Sequence, residues 1–307
     1  MNTGILIVGT GALATLFAVR LSLAGVDVTM LGSWPEGLAA LHNRGASLDG
    51  RDSLPIRATN NPADCIGAKI ALVLVKSWQT EYVAKQLADC LAEDSLAVTL
   101  QNGLGNDKIL SRTLTARRVS RGVTTLGATL LAPGIVRSGG EGVVMLEAHE
   151  RLEALEEVLE AGNFEVSVIK NAEPVVWSKL IVNAAINPLT ALLRMKNGEI
   201  LGNPPARALM GELAREASLV AKALGIELPF LSPESAVEEV AHRTADNISS
   251  MFQDVLRGAP TEVDAINGAV INLGKQEGLE TPFNQAIWYM VKALPVRLRY
   301  NSFHLGD

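Results

Sequence analysis

The stretch Ile5-Leu6-Ile7-Val8-Gly9-Thr10-Gly11-Ala12-Leu13-Ala14 limits what this chain can fold into more than any other. Four consecutive apolar residues, three of them β-branched, suit a strand buried on both faces, and the apolar-periodic run over 13–24 reads as a helix. A glycine-rich turn joins the two. In a G-x-G-x-x-G/A turn, the first glycine (Gly9) permits the sharp reversal and the second (Gly11) lets backbone approach a pyrophosphate. The third small residue, Ala14, allows close packing of helix on strand, and the helix N-terminus, with Thr10, Ala12 and Leu13 around it, offers N–H groups to phosphate. Glycine turns of this kind also occur for packing alone. Gly25 as a helix stop and a second strand over 27–31 favour the dinucleotide reading.

The alternation continues. Residues 34–64 are polar and irregular, with short strands around 46–48 and 56–58, after which 70–75 reads as a buried strand, 79–92 as an amphipathic helix and 96–100 as another buried strand. Strands alternating with helices predict a doubly wound parallel sheet of Rossmann type, with ligands beyond the carboxyl ends of its strands. Over 118–146, Thr- and Val-rich pieces punctuated by Pro133-Gly134 and Gly139-Gly140 read as further strands, some antiparallel; 152–160 is helical and 164–169 closes the sheet. From Glu173 the pattern is helical: 174–193, 205–224, 233–241, 260–277 and 282–293, each opening on proline, which suits a first helical turn. The expected organisation is therefore an α/β domain over 1–170 and an all-helical domain over 171–307, abutting at a cleft.

Composition excludes several classes. A length of 307 residues favours two domains, and 48% hydrophobic with 20% charged residues is that of a globular protein. A net charge of −6 gives no footprint for nucleic acid or an anionic membrane. Cys65 and Cys90 lack C-x-x-C spacing and read as buried free thiols in a reducing compartment. No signal peptide or membrane span is expected, the longest uncharged stretch, 122–136, being broken by Gly, Thr and Pro, so a cytoplasmic protein is. His42, His149, His242 and His304 show no metal-ligand spacing, and no metal is expected.

Polar clusters follow the predicted strand ends: Lys76-Ser77-Trp78-Gln79-Thr80 and Gln101-Asn102-Gly103. In the helical half, Lys179, Asn183 and Asn187 recur at i, i+4 and i+8, within roughly an 80° wedge of one helix face. On a helix otherwise apolar, such groups must meet polar partners or a polar ligand. The alternative is an exposed stripe on an ordinary amphipathic helix, against which stands asparagine's poor helix propensity. Thr261, Glu262, Asp264 and Asn267 cluster at the start of the helix predicted over 260–277, where acidic residues also serve a helix dipole, the reading preferred for Asp264. Asn247 and Ser250 are candidate ligands or capping residues.

Taken together, Gly9 to Ala14, Val75-Lys76-Ser77-Trp78-Gln79, Gln101-Asn102-Gly103, Lys179 through Asn183 to Asn187-Pro188-Leu189-Thr190, and Asn247 through Ser249-Ser250-Met251 to Gln253-Asp254 and Thr261-Glu262 resemble the ketopantoate reductases. The resemblance spans nearly the whole chain. It implies NADPH-dependent reduction of 2-dehydropantoate to pantoate, on the path to pantothenate and coenzyme A. It further implies Lys179 as the general acid that protonates the carbonyl oxygen, with Glu262 holding substrate through its hydroxyl. Asn183, Asn187, Asn247 and Ser250 would bind the carboxylate and remaining polar groups, Asn102 would sit near the nicotinamide ribose and Lys179, and Lys76 would face the adenosine end.

One feature departs from the family pattern. Where an arginine usually follows the second strand, this chain has Leu31-Gly32-Ser33-Trp34, with no acidic residue to hold an NAD ribose either. Ser33 and Lys76 are the groups left for a 2′-phosphate, and NADP is the cofactor expected. A relative acting on another branched or aromatic 2-oxo acid, and a dinucleotide-sensing protein without catalysis, are the competing readings. The apolar run over 286–294 fits a homodimer interface or core equally well.

Overall fold

The structure is a computed structural model that describes residues 4–51 and 53–295; residues 296–307, the end of the expected helical domain and including His304, lie outside the described residues. The chain forms two compact units, Met1–Ala172 and Glu173–Asp307.

In the first unit the strands are β1 (Ile5–Val8), β2 (Val28–Leu31), β3 (Ser47–Leu48), β4 (Arg57–Thr59), β5 (Ala68–Val73), β6 (Leu91–Thr99), β7 (Val119–Thr124), β8 (Ala128–Ala132), β9 (Ile135–Ser138), β10 (Val143–Glu147) and β11 (Glu165–Ile169). Among the described residues the α-helices that accompany them are α1 (Ala12–Leu23), α2 (Pro35–Arg44), α3 (Thr80–Cys90), α4 (Asn106–Leu114) and α5 (Glu153–Ala161). The main sheet runs β11-β10-β7-β6-β5-β1-β2-β4, and β3-β9-β8 form a separate small sheet. From β4 across to β7 every pairing is parallel; β10 turns antiparallel to β7, the mixed edge expected from the 118–146 region. Ile5 and Ile7 join the apolar layer on one face with Phe17, Met30 and Leu72, while Leu6 and Val8 join that on the other with Leu31, Val73 and Val83. A strand buried on both faces must be apolar at every position, so the run Ile5-Leu6-Ile7-Val8 was informative. The chain leaves β1 toward β2 on one side and returns to β5 on the other, which makes the β1/β5 boundary the switch point of the sheet.

Two helices of this unit escape the periodicity reading. The segment 34–64 is not irregular throughout: α2 occupies Pro35–Arg44, opened by proline in its first turn and held by Gly37, Ala40 and Leu41. Gly37 is required because the Trp34 ring lies where its Cβ would stand. So narrow and weak an apolar stripe gives little periodic signal. The second, α4, begins after Gly105, whose φ of +87° suits glycine.

Among the described residues, the α-helices of the second unit are α6 (Glu173–Leu193), α7 (Pro204–Ala223), α8 (Pro233–Arg243), α9 (Ser250–Arg257), α10 (Asn267–Gln276) and α11 (Pro282–Lys292). α6 is its axis, packed by α7, α8, α9 and α11. It is also the one described helix long and apolar enough to cross a bilayer, but 61% of its apolar window is buried inside the protein, as befits a core helix. The helix expected over 260–277 is corrected: its N-terminal third is a tight turn and α10 starts only at Asn267. The amides of Ala265 and Ile266 both donate to the Glu262 carbonyl, and Ile266, at φ −103° and ψ −88°, leaves the helical region. This turn buries Glu262, Val263 and Ile266 while Asp264 stays exposed, a tertiary demand that outweighs local propensity. Asp264 therefore serves no helix dipole; it accepts from Trp288 Nε1 at 2.8 Å and pairs with Lys292 Nζ at 2.9 Å.

Candidate active site

At the switch point, Gly9 has φ +128°, and a Cβ there would lie 3.2 Å from the carbonyl of Leu74 on the neighbouring strand's exit. Glycine suits this φ and this close approach, and the chain there continues both pairings: Gly9 N–H donates to the Leu31 carbonyl of β2 at 2.7 Å and Leu74 N–H to the Val8 carbonyl of β1 at 2.8 Å. Gly11 differs. Its φ of −83° suits any residue, yet a Cβ there would meet nothing within 4 Å. The side chain is dispensed with although nothing of the protein crowds it, as expected where backbone is to be approached from outside. Gly11 is also the N-cap of α1, with no side-chain cap and no acidic residue in the first turn, so the amides of Ala12, Leu13 and Ala14 remain available to an anion. The buried Thr10 has its Cγ2 2.7 Å from where a Cβ on Gly32 would stand, so Gly32 accommodates Thr10.

The loops after β2, β5 and β6 are tied at the same edge. Gln79 receives the Lys76 amide on Oε1 at 3.3 Å and reaches the exposed Ser33 Oγ through Nε2 at 3.4 Å. Gln101 Nε2 donates to the Val75 carbonyl at 3.0 Å and to Thr80 Oγ1 at 2.9 Å. The buried Asn106 lies 2.9 Å from Thr80 Oγ1 through Oδ1 and donates through Nδ2 to the Asn102 carbonyl at 3.0 Å. Ser33, Lys76 and Asn102 are thus presented on one braced rim, and the bracing residues Gln79, Thr80, Gln101 and Asn106 support them. Of these, Asn106 carries no sequence signal, because only the left-handed Gly105 marks the start of the short α4.

In the helical unit, α6 carries Lys179 and Asn183, both half-buried, and the buried Asn187. Glu262 is 5% exposed. Desolvation pushes the Lys179 ammonium down to about 8, against a carboxylate at Glu262 that pulls it up. Ser250 is the first residue of α9, half-buried, and Asn247 is exposed just before it. The N-cap of α9 is not Ser250 but Ser249, whose Oγ accepts the Phe252 amide at 3.1 Å. Ser249 Oγ lies 2.6 Å from Thr190 Oγ1, which in turn donates to the Asn187 carbonyl at 2.9 Å. The Asn247 carbonyl accepts the Asn197 amide at 3.0 Å. Asn183, Asn187, Asn247 and Ser250 are thereby held on packed elements of one unit.

Beneath this group runs a buried polar chain that sequence patterning did not reveal. Asn267 Nδ2 donates to the Ala184 carbonyl and to Asn284 Oδ1, each at 3.0 Å. Asn284 Nδ2 donates to Glu216 Oε2 at 2.8 Å, and the Glu216 carboxylate also takes the amides of Phe283 and Asn284 at 2.8 Å, capping α11. Asn267 Oδ1, buried, meets no hydrogen-bond donor among the described residues.

The first unit is a dinucleotide-type α/β domain and the second presents a desolvated lysine opposed by a buried carboxylate: together, the features of a two-unit dinucleotide-dependent oxidoreductase. Residues 5–151 match the family profile described as Ketopantoate reductase PanE/ApbA, and residues 171–295 match Ketopantoate reductase PanE/ApbA C terminal. The chain belongs to the ketopantoate reductase family, whose members use a nicotinamide dinucleotide. It is 37% identical to a 2-dehydropantoate 2-reductase of Archaeoglobus fulgidus over 295 residues, 94% of this chain and 96% of the relative. It is 35% identical to that of Pyrococcus horikoshii, with the same coverage. Among solved structures, a ketopantoate reductase from Ralstonia eutropha is similar at a TM-score of 0.87 and 28% identity, covering 95% of this chain and 98% of that one. A D-mandelate dehydrogenase solved with NADH and anilino(oxo)acetate shares the fold at a TM-score of 0.88 and 24% identity, covering 94% of this chain and 97% of that one.

Proposed function

We propose that the protein is a 2-dehydropantoate 2-reductase that uses NADPH. The observation that carries this reading is the placement of Lys179, half-buried on the apolar α6, with the buried Glu262 carboxylate supporting its charge against desolvation. The same activity is borne by relatives that align over 94% of the chain.

In this reading the backbone from Gly9 to Ala14 holds the pyrophosphate at the N-terminus of α1, an assignment supported by the open space at Gly11 and the uncapped first turn. Ser33 and Lys76 would hold the 2′-phosphate and Asn102 the nicotinamide ribose. The cofactor held there would supply the hydride that reduces the carbonyl carbon. Negative charge then gathers on the carbonyl oxygen, where Lys179 both stabilises it and delivers a proton from Nζ. Glu262 keeps Lys179 charged until that transfer and orients the substrate hydroxyl. Asn183, Asn187, Asn247 and Ser250 bind the carboxylate and remaining polar groups with neutral donors. We place the protein in the cytoplasm, acting on a small 2-oxo acid, with a homodimer through the helical unit.

The test is steady-state oxidation of NADPH and NADH by the purified protein with 2-dehydropantoate, beside Lys179→Ala. Turnover preferring NADPH, abolished in Lys179→Ala with cofactor affinity retained, supports the assignment. Turnover only with a different branched or aromatic 2-oxo acid overturns the substrate, and turnover surviving in Lys179→Ala overturns the general acid.

A further inference from the structure

Resting on that functional reading, we propose that Asn267 is a positioning residue for α6: its side-chain amide replaces the hydrogen bond that Pro188 denies to Ala184, and so sets the helix face that carries Asn183 and Asn187 against the turn that carries Glu262.

Pro188 lies inside α6 and has no N–H to return to the carbonyl four residues back, which is that of Ala184. Ala184 is fully buried, so water cannot serve its carbonyl. Asn267 Nδ2 donates to that carbonyl at 3.0 Å, across 83 residues of chain. The amide's second hydrogen goes to Asn284 Oδ1, itself held by Glu216, so the orientation of Asn267 is determined: the flipped amide would set oxygen against oxygen. The bonded carbonyl stands between Asn183 and Asn187 in sequence. At the other end, Asn267 opens α10 directly after the turn in which Ala265 and Ile266 amides close on the Glu262 carbonyl. One amide thus joins the two elements whose charges, Lys179 and Glu262, balance each other.

The pairing with Pro188 gives a direct test. In Pro188→Ala the backbone can donate to Ala184 itself, and Asn267 becomes dispensable for that bond. Turnover, pH profile and melting temperature are measured for wild type, Asn267→Ala, Pro188→Ala and the double variant. Asn267→Ala lowers kcat on the order of tenfold to a hundredfold, the scale of a misplaced catalytic group. It also shifts the alkaline limb of the profile to lower pH, because Lys179 loses support from Glu262. In the Pro188→Ala background the same substitution costs less than about threefold, and melting temperatures show the same non-additivity. Equal losses in both backgrounds, or a pH profile that does not move, overturn the positioning role. If Asn267→Ala does not fold, the double variant decides: recovery of fold and turnover supports the role, and failure of both refutes it. A wild type that does not reduce 2-dehydropantoate overturns the functional reading alone, since the coupling in melting temperature still tests the Asn267 and Pro188 pairing.

Discussion

Thr190 and Ser249, 59 residues apart in sequence, bring their hydroxyl oxygens to 2.6 Å inside the helical unit, and the direction of their shared hydrogen bond is determined by their neighbours. Thr190 donates to the Asn187 carbonyl, so the proton between the two hydroxyls belongs to Ser249, which accepts in turn from the Phe252 amide. The N-cap of α9 is therefore fastened to α6, and with it Ser250. Ser249→Ala should cost about 1 kcal/mol for the lost cap, read as a lower denaturation midpoint, and should raise KM more than it lowers kcat. Thr190→Val should add little in that background, because the two hydroxyls act as one unit.

The Lys179 pair carries a pH signature. With a folded-state value of about 8 against an ordinary 10.5, the folded protein binds fewer protons at Lys179 than the unfolded chain between those two pH values. Stability then rises with pH across that window, and the cost of burying the charged lysine is present in full below it. The stability difference between wild type and Lys179→Met should accordingly grow in favour of wild type from about pH 8 toward 10.5, by about 1–3 kcal/mol after allowance for the partial exposure of Lys179. In kinetics kcat should fall as pH rises through the same range, and Glu262→Gln should move that fall to lower pH.

The two glycines of the first turn should separate folding from binding. Gly11→Val has free space and an ordinary φ, so its melting temperature should match wild type while dinucleotide affinity drops at least about tenfold by titration calorimetry. Gly9→Val forces a β-branched residue to φ +128° against the Leu74 backbone, and should lose stability as well, by about 1–3 kcal/mol.

Gly32 offers a rescue experiment. Gly32→Ala sets its new methyl 2.7 Å from Thr10 Cγ2 and should destabilise by about 1–3 kcal/mol. Thr10→Ala in the same chain removes that contact and should restore part of the loss, measured as the denaturant midpoint.

What lay open in the sequence was everything governed by short-range regularity. The apolar run of β1, the glycine turn and α1 are one contiguous stretch, and the spacing of Lys179, Asn183 and Asn187 follows from 3.6 residues per turn. The parallel alternation of the first unit and the helices of the second other than the short α9, Ser250–Arg257, emerged for the same reason. The weakly striped α2 did not, nor did the break before α10, where burial of Glu262 and Val263 overrides a helical pattern. Tertiary structure alone decided which polar residues serve one another. Asn267 meets the Ala184 carbonyl across 83 residues, and Glu216 meets the amide of Asn284 across 68. No periodicity links such positions, because each bond answers a vacancy, a missing proline N–H or an uncapped helix end, that exists only once the helices are packed.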